Sequence, residues 1–191
     1  MESAKQLTPL AMAALGLLTE RPMHPYEMYQ LLMHRHEDRL LKVRPGTLYH
    51  AVGRLESAGL VEATGTERDG NRPERTSYAI LPAGRSRLME SLRGHLAQPA
   101  AEYPRFPQAL SEAHNLPAPL VLELLEQRVA LLEEKMSGLG SDRDLALSRN
   151  VEPAYWIDVG YQEHLLKAEI GWVQDLMGRL ADGSLPWPQR N

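Results

Sequence analysis

Between Pro45 and Gly59 the apolar residues Leu48, Val52 and Leu55 recur at spacings of four and three. That spacing lines one face of a helix and leaves Thr47, His50 and Arg54 on the outward face. Pro45 suits a first helical position and Gly59 the left-handed residue just past the end, with Leu55 and Leu60 placed for the hydrophobic contact of a Schellman stop. Upstream, Thr8-Pro9 has the form of a cap followed by a first-turn proline, and residues 10–18 behind it are rich in Leu, Ala and Met, which predicts a mostly buried first helix. His24-Pro25 opens a second, with Tyr26, Met28, Leu31 and Leu32 as its apolar residues, running to about His36. Residues 39–43 lead into the third. Three short helices closing on one core, the third exposing a polar edge, make a helix-turn-helix.

After Gly59 the helical period stops, and residues 60–64 and 76–80 read as two short strands with Asp69-Gly70-Asn71 as turn chemistry between them. Arg68, Arg72 and Arg75 crowd that tip, as on a wing meeting a sugar-phosphate backbone. A fourth helix begins near Pro82 and runs through Arg87, Leu88 and Leu92. Then come five prolines between residues 98 and 120, enough to break any long helix. Beyond them Leu122, Leu125, Val129, Leu132, Met136 and Leu139 form a heptad seam. Trp156, Val159, Glu163, Leu166, Ile170, Val173, Met177 and Leu180 form a second, with Glu163 its one charged member.

The fold class predicted is mainly α: an N-terminal winged helix-turn-helix (α+β) over residues 1–95, a Pro-rich connector over 96–119, an all-α domain with two long antiparallel helices over 120–183 and a tail over 184–191. Leu124, Leu131, Leu165, Trp172 and Leu176 add more apolar surface than two antiparallel helices can cover for each other. A second copy would cover it. Leu122, Leu125, Val129, Leu132, Leu165, Leu166, Ile170, Trp172, Val173 and Leu176 are the expected dimerisation residues.

A net charge of -4 over 191 residues argues at first against a nucleic-acid partner, but its distribution matters more than the sum and leaves DNA binding open. From residue 39 to 87, nine basic side chains face five acidic ones, a local excess of four that leaves -8 for the rest. A hydroxyl, an imidazole and a guanidinium one turn apart can reach phosphates and base edges in a major groove. The expected DNA contacts are Tyr26, Arg44, Thr47, Tyr49, His50, Arg54, Arg68, Arg72 and Arg75. Two copies would read an inverted repeat with half-sites about one helical turn, or a multiple of it, apart.

Other classes find little material. The chain has no cysteine, which removes disulfides, thiol catalysis and cysteine-ligated metals. His34 and His36 are two apart and point to different faces of a helix, His95, His114 and His164 are scattered, and Glu133-Glu134 sit at solvated helix positions. No phosphate-cradling glycine loop or serine elbow occurs, so neither catalysis, a metal nor a cofactor is expected. No apolar run approaches a membrane span and no leader opens the chain, so the expectation is a soluble cytoplasmic protein without a membrane partner.

With these pieces placed, the sequence resembles the PadR family of bacterial transcriptional regulators. The residues that carry the resemblance are His24-Pro25-Tyr26-Glu27-Met28, Gly46-Thr47-Leu48-Tyr49 with Arg54-Leu55-Glu56 and Gly59-Leu60, and Arg75-Thr76-Ser77-Tyr78 with Ala83-Gly84-Arg85. They cover roughly the first 90 residues. Glu102-Tyr103-Pro104-Arg105-Phe106-Pro107 and the two long helices look like the family's larger subgroup. The resemblance implies a DNA-binding regulator, a repressor in function, dimeric through its C-terminal helices and released by a small hydrophobic or aromatic effector. Tyr155, Trp156 and Trp172 are the candidate effector residues. Leu81 stands where many members have a capping threonine, and His50 where proline is frequent. A winged-helix protein adaptor without sequence-specific DNA binding is the alternative; the arginine-bearing wing, which an adaptor would not need, discriminates the two.

Overall fold

The computed structural model describes residues 7–67, 75–100 and 102–188. The chain divides into two compact units, Met1–Ala101 and Glu102–Asn191.

The first unit opens with α1 (Pro9–Glu20), whose cap Thr8 accepts a hydrogen bond from the Ala11 N–H at 3.2 Å. Leu15 and Leu18 of α1 are fully buried. α2 (Pro25–His34) follows, two residues shorter than its apolar pattern suggests, because His36 adopts a left-handed backbone with φ 54° that a continuing helix cannot accommodate. α3 (Pro45–Ser57) ends as its sequence implies. Gly59 takes φ +67°, its N–H donates to Glu56 O and the Leu60 N–H donates to Leu55 O, both at 2.9 Å, which is the double bond of a Schellman stop. Leu48, Val52 and Leu55 turn inward onto Leu15, Leu18, Met28 and Leu32 in one core.

β1 (Val61–Glu67) and β2 (Arg75–Ile80) pair antiparallel from Val61↔Ile80 to Glu67↔Arg75, with a bulge between Ala63 and Gly65. Met23 adds a minimal third strand, exchanging two 3.1 Å backbone hydrogen bonds with Tyr78. The expected turn at Asp69-Gly70-Asn71 lies outside the described residues. α4 (Pro82–Ala97) starts at Leu81, which supplies no side-chain cap; its backbone N–H donates instead to Leu60 O at 3.0 Å.

In the second unit the proline-rich stretch, where no long helix is expected, contains short helical structure. It holds α5 (Arg105–Glu112), with Pro104 as the cap residue and Pro107 in the first turn, where the missing N–H has no intrahelical partner to lose. α6 (Ala118–Ser148) and α7 (Ile157–Ala181) run antiparallel, since Arg128 pairs with Glu169 whereas the later Arg143 pairs with the earlier Glu163. The seams face this hairpin: Leu125, Leu132 and Leu139 of the first are buried and Leu122, Val129 and Met136 half-buried, with Val121, outside the seam, buried beside them, while Val159, Glu163, Ile170, Val173 and Leu180 of the second are buried. Leu185 and Trp187, expected in a tail, pack on the same core, and the Trp187 indole donates to Leu116 O at 2.8 Å. Among the described residues no helix is long and apolar enough to cross a membrane.

Candidate nucleic-acid interface

The polar edge of α3 faces out because the opposite edge, Leu48, Ala51, Val52 and Leu55, is packed into the core. Arg44, Thr47, Tyr49, His50 and Arg54 are all exposed. Arg54 and His50 lie one turn apart on this edge. Thr47 differs from expectation. Its hydroxyl donates to Arg44 O at 2.8 Å, so what it offers outward is a methyl group and oxygen lone pairs, not a proton.

Two phenols flank this edge. Tyr49 of α3 and Tyr26 of α2 are 44% and 43% exposed. They meet through His24, which the sequence marks only as the opening of α2. Its Nδ1 accepts the Tyr26 N–H at 3.1 Å as the helix cap, its Nε2 lies 3.4 Å from the Tyr49 hydroxyl, and the His24 and Tyr49 rings stand edge to face with centroids 5.6 Å apart. Tyr26 leans on Tyr29 with centroids 6.1 Å apart. The cap is closed from the other side by Glu27, whose carboxyl is held below its ordinary value of 4.5 first by a hydrogen bond from Arg21 and further by the backbone N–H of His24.

Arg75 opens β2 opposite Glu67. Its side chain, and the whole of Arg68 and Arg72, lie outside the described residues.

The residues expected at a dimer interface divide. Leu125, Leu132, Ile170 and Val173 are buried within one chain, between α6 and α7, and so present no free surface; Leu122, Val129, Leu166 and Leu176 are half-buried. Leu165 and Trp172 remain exposed, with Leu124 and Leu131 on α6 and Ile157 and Tyr161 on α7. The candidate effector trio does not assemble within a chain. Tyr155 and Trp156 sit at the start of α7, where the Trp156 indole donates to Val151 O at 3.1 Å. Trp172 lies sixteen residues on, roughly 24 Å along the helix. Trp172 instead borders a hollow of about 430 Å³ with Pro104, Phe106, Pro107, Leu110, Arg128 and Glu169. The Arg128 guanidinium stacks 3.4 Å from the ring centre of Phe106 and also donates to Glu169.

Residues 14–90 match the family model described as "Transcriptional regulator PadR-like family". No curated protein matches the sequence. Among solved structures, the chain superposes on Bacillus subtilis PadR in complex with operator DNA at a TM-score of 0.76, with 16% identity over 91% of this chain and 99% of that one. Bacillus subtilis PadR in complex with p-coumaric acid gives 0.75, with 15% identity over 90% and 98%. A PadR-like transcriptional regulator from Bacillus cereus gives 0.64, with 14% identity over 93% and 99%. At such identities the superpositions establish the fold alone, which they share from the winged helix through the C-terminal helices. Residues 14–90, about two-fifths of the chain, thus match the PadR-like model, and the fold, a winged helix followed by long C-terminal helices, is that of the solved PadR structures.

Proposed function

We propose that this protein is a homodimeric, sequence-specific DNA-binding repressor that reads an inverted-repeat operator through the outward edge of α3. One observation carries the reading: a helix whose inner side is buried exposes Arg44, Thr47, Tyr49, His50 and Arg54 on its other side, with Tyr26 of α2 also exposed. In this reading Arg54 forks to a base edge, Tyr26, Arg44, Tyr49 and His50 hold the register through phosphates and bases, and Arg68, Arg72 and Arg75 of the wing contact the backbone or minor groove. The exposed Leu124, Leu131, Leu165 and Trp172 supply the surface for a second copy. A small hydrophobic or aromatic effector alters DNA affinity. The solved neighbour bound to p-coumaric acid and the apolar hollow beside Trp172 support that part.

Selection of bound duplexes from random DNA by the purified full-length protein tests this function. An inverted repeat with half-sites about ten base pairs apart is expected. Recovery of unrelated sequences would leave only non-specific binding.

A further inference from the structure

We propose that His24 is a positioning residue for DNA binding: one imidazole sets the place and the hydrogen-bonding direction of the Tyr49 phenol. This deepens the DNA-binding reading above and rests on it.

His24 is held by its neighbours on both sides. Met23 before it is tied to β2 through Tyr78 by two backbone hydrogen bonds, and Pro25 after it is buried as the first residue of α2. Its ring then has one orientation that serves the helix. Nδ1 accepts the Tyr26 N–H, so Nδ1 carries no proton, and in the neutral ring the proton sits on Nε2. Nε2–H faces the Tyr49 oxygen at 3.4 Å as donor, filling one of its acceptor positions. The phenolic proton of Tyr49 must then point elsewhere, toward solvent on the exposed edge of α3. A phenol so arranged is a donor aimed outward, the group an anionic phosphate oxygen requires. The edge-to-face packing of the two rings restricts the phenol further, which lowers the ordering cost on binding. His24 thereby links the wing strand, the start of α2 and the outward face of α3 without itself needing to touch DNA.

The test separates this role from simple helix capping. Asn is as good a cap as any residue but too short to reach Tyr49, so His24→Asn keeps α2 and removes the contact. Binding of a labelled duplex recovered by selection is measured by fluorescence anisotropy for the wild type, His24→Asn, Tyr49→Phe and the double variant. Each single change is expected to weaken binding about fivefold, the scale of one hydrogen bond, and the double variant by about the same fivefold and not their product. Long-range proton–nitrogen spectra of the unaltered protein should show His24 as the Nε2–H tautomer. A wild-type affinity in His24→Asn, losses that multiply in the double variant, or an Nδ1–H tautomer would each overturn the proposal while leaving DNA binding intact. Failure of the wild type to bind any duplex would overturn both.

Discussion

Arg143 on α6 donates through Nη1 to both carboxylate oxygens of Glu163 on α7, at 2.8 and 3.0 Å, and so answers the single charge in an otherwise apolar seam. The two partners are unequally placed: the Glu163 side chain is 11% exposed and that of Arg143 38%. Losing one should therefore not equal losing the other. Arg143→Ala strands a buried carboxylate and should cost about 2 kcal/mol, whereas Glu163→Leu continues the seam and frees an arginine that can swing into water, leaving stability within about 1 kcal/mol of wild type or raising it. Urea unfolding of the two variants measures the difference, and equal losses would mean that burial of the carboxylate carries no penalty.

Gly84 packs against the β1 end of α3's exit. A methyl group built on it would stand 2.2 Å from Leu60 O and 2.9 Å from Ile80 Cγ1. The first of these is backbone, fixed by its hydrogen bond from the Leu81 N–H, and cannot yield cheaply. Gly84→Ala should destabilise by about 2–3 kcal/mol. Gly94→Ala on the same helix, where no atom lies within 4 Å, should be neutral or stabilise by up to about 1 kcal/mol. Thermal melting of both decides whether close approach, and not glycine as such, is what position 84 needs.

Acid should weaken the N-terminal unit in a defined window. Arg35 donates to both oxygens of Glu20, at 2.6 and 2.9 Å, and this holds the Glu20 carboxyl below its ordinary 4.5, as Arg21 does for Glu27. A carboxyl depressed on folding contributes stability that is fully present above its unfolded value and is lost as pH falls through the folded one. Both pairs are solvent-screened, so each contribution is small. Melting temperature should hold from neutrality to about pH 5 and fall below about pH 4.5, and Arg35→Ala should flatten that fall. An identical acid limb in the variant would remove the pair from the explanation.

Leu131 and Leu165 are 60% and 49% exposed, so charging them should leave the hairpin folded. The full-length Leu131→Asp/Leu165→Asp variant is expected to be monomeric by light scattering at micromolar concentration, with a helical signal close to wild type. A variant still dimeric would move the interface to another face.

Arg54 and the wing should fail differently. Arg54→Ala is expected to cost about 1–3 kcal/mol at the selected site and to relax preference at one position of each half-site. Arg72→Ala should weaken all duplexes alike and make the salt dependence shallower by about one unit per arm. Competition between cognate and scrambled duplexes across a salt series reads both effects. Equal losses on both duplexes for Arg54→Ala would shift base reading to Arg44 or the wing.

What the sequence determined by itself is local. Thr8 before Pro9, Pro45 at the head of α3 and Gly59 at its end act on backbone groups within four residues, and the structure uses each as a cap, a start or a stop. The spacing of Leu48, Val52 and Leu55, and of the two long seams, reports helix faces because the helical period carries that information along a single segment. Tertiary structure decided whatever depends on residues far apart in the chain. His24 reads as a cap until α3, 25 residues later, brings Tyr49 to its other nitrogen. Gly84 is unremarkable until Leu60 arrives against it, and the seam leucines divide between hairpin core and free surface only once α7 lies on α6. The prolines of the connector stretch read as breakers, yet Pro104 and Pro107 begin a helix, because their missing N–H groups fall where a helix has no acceptor for them and α6 offers α5 an apolar surface to pack on. Period and caps are properties of neighbours, whereas the meeting of side chains is a property of packing.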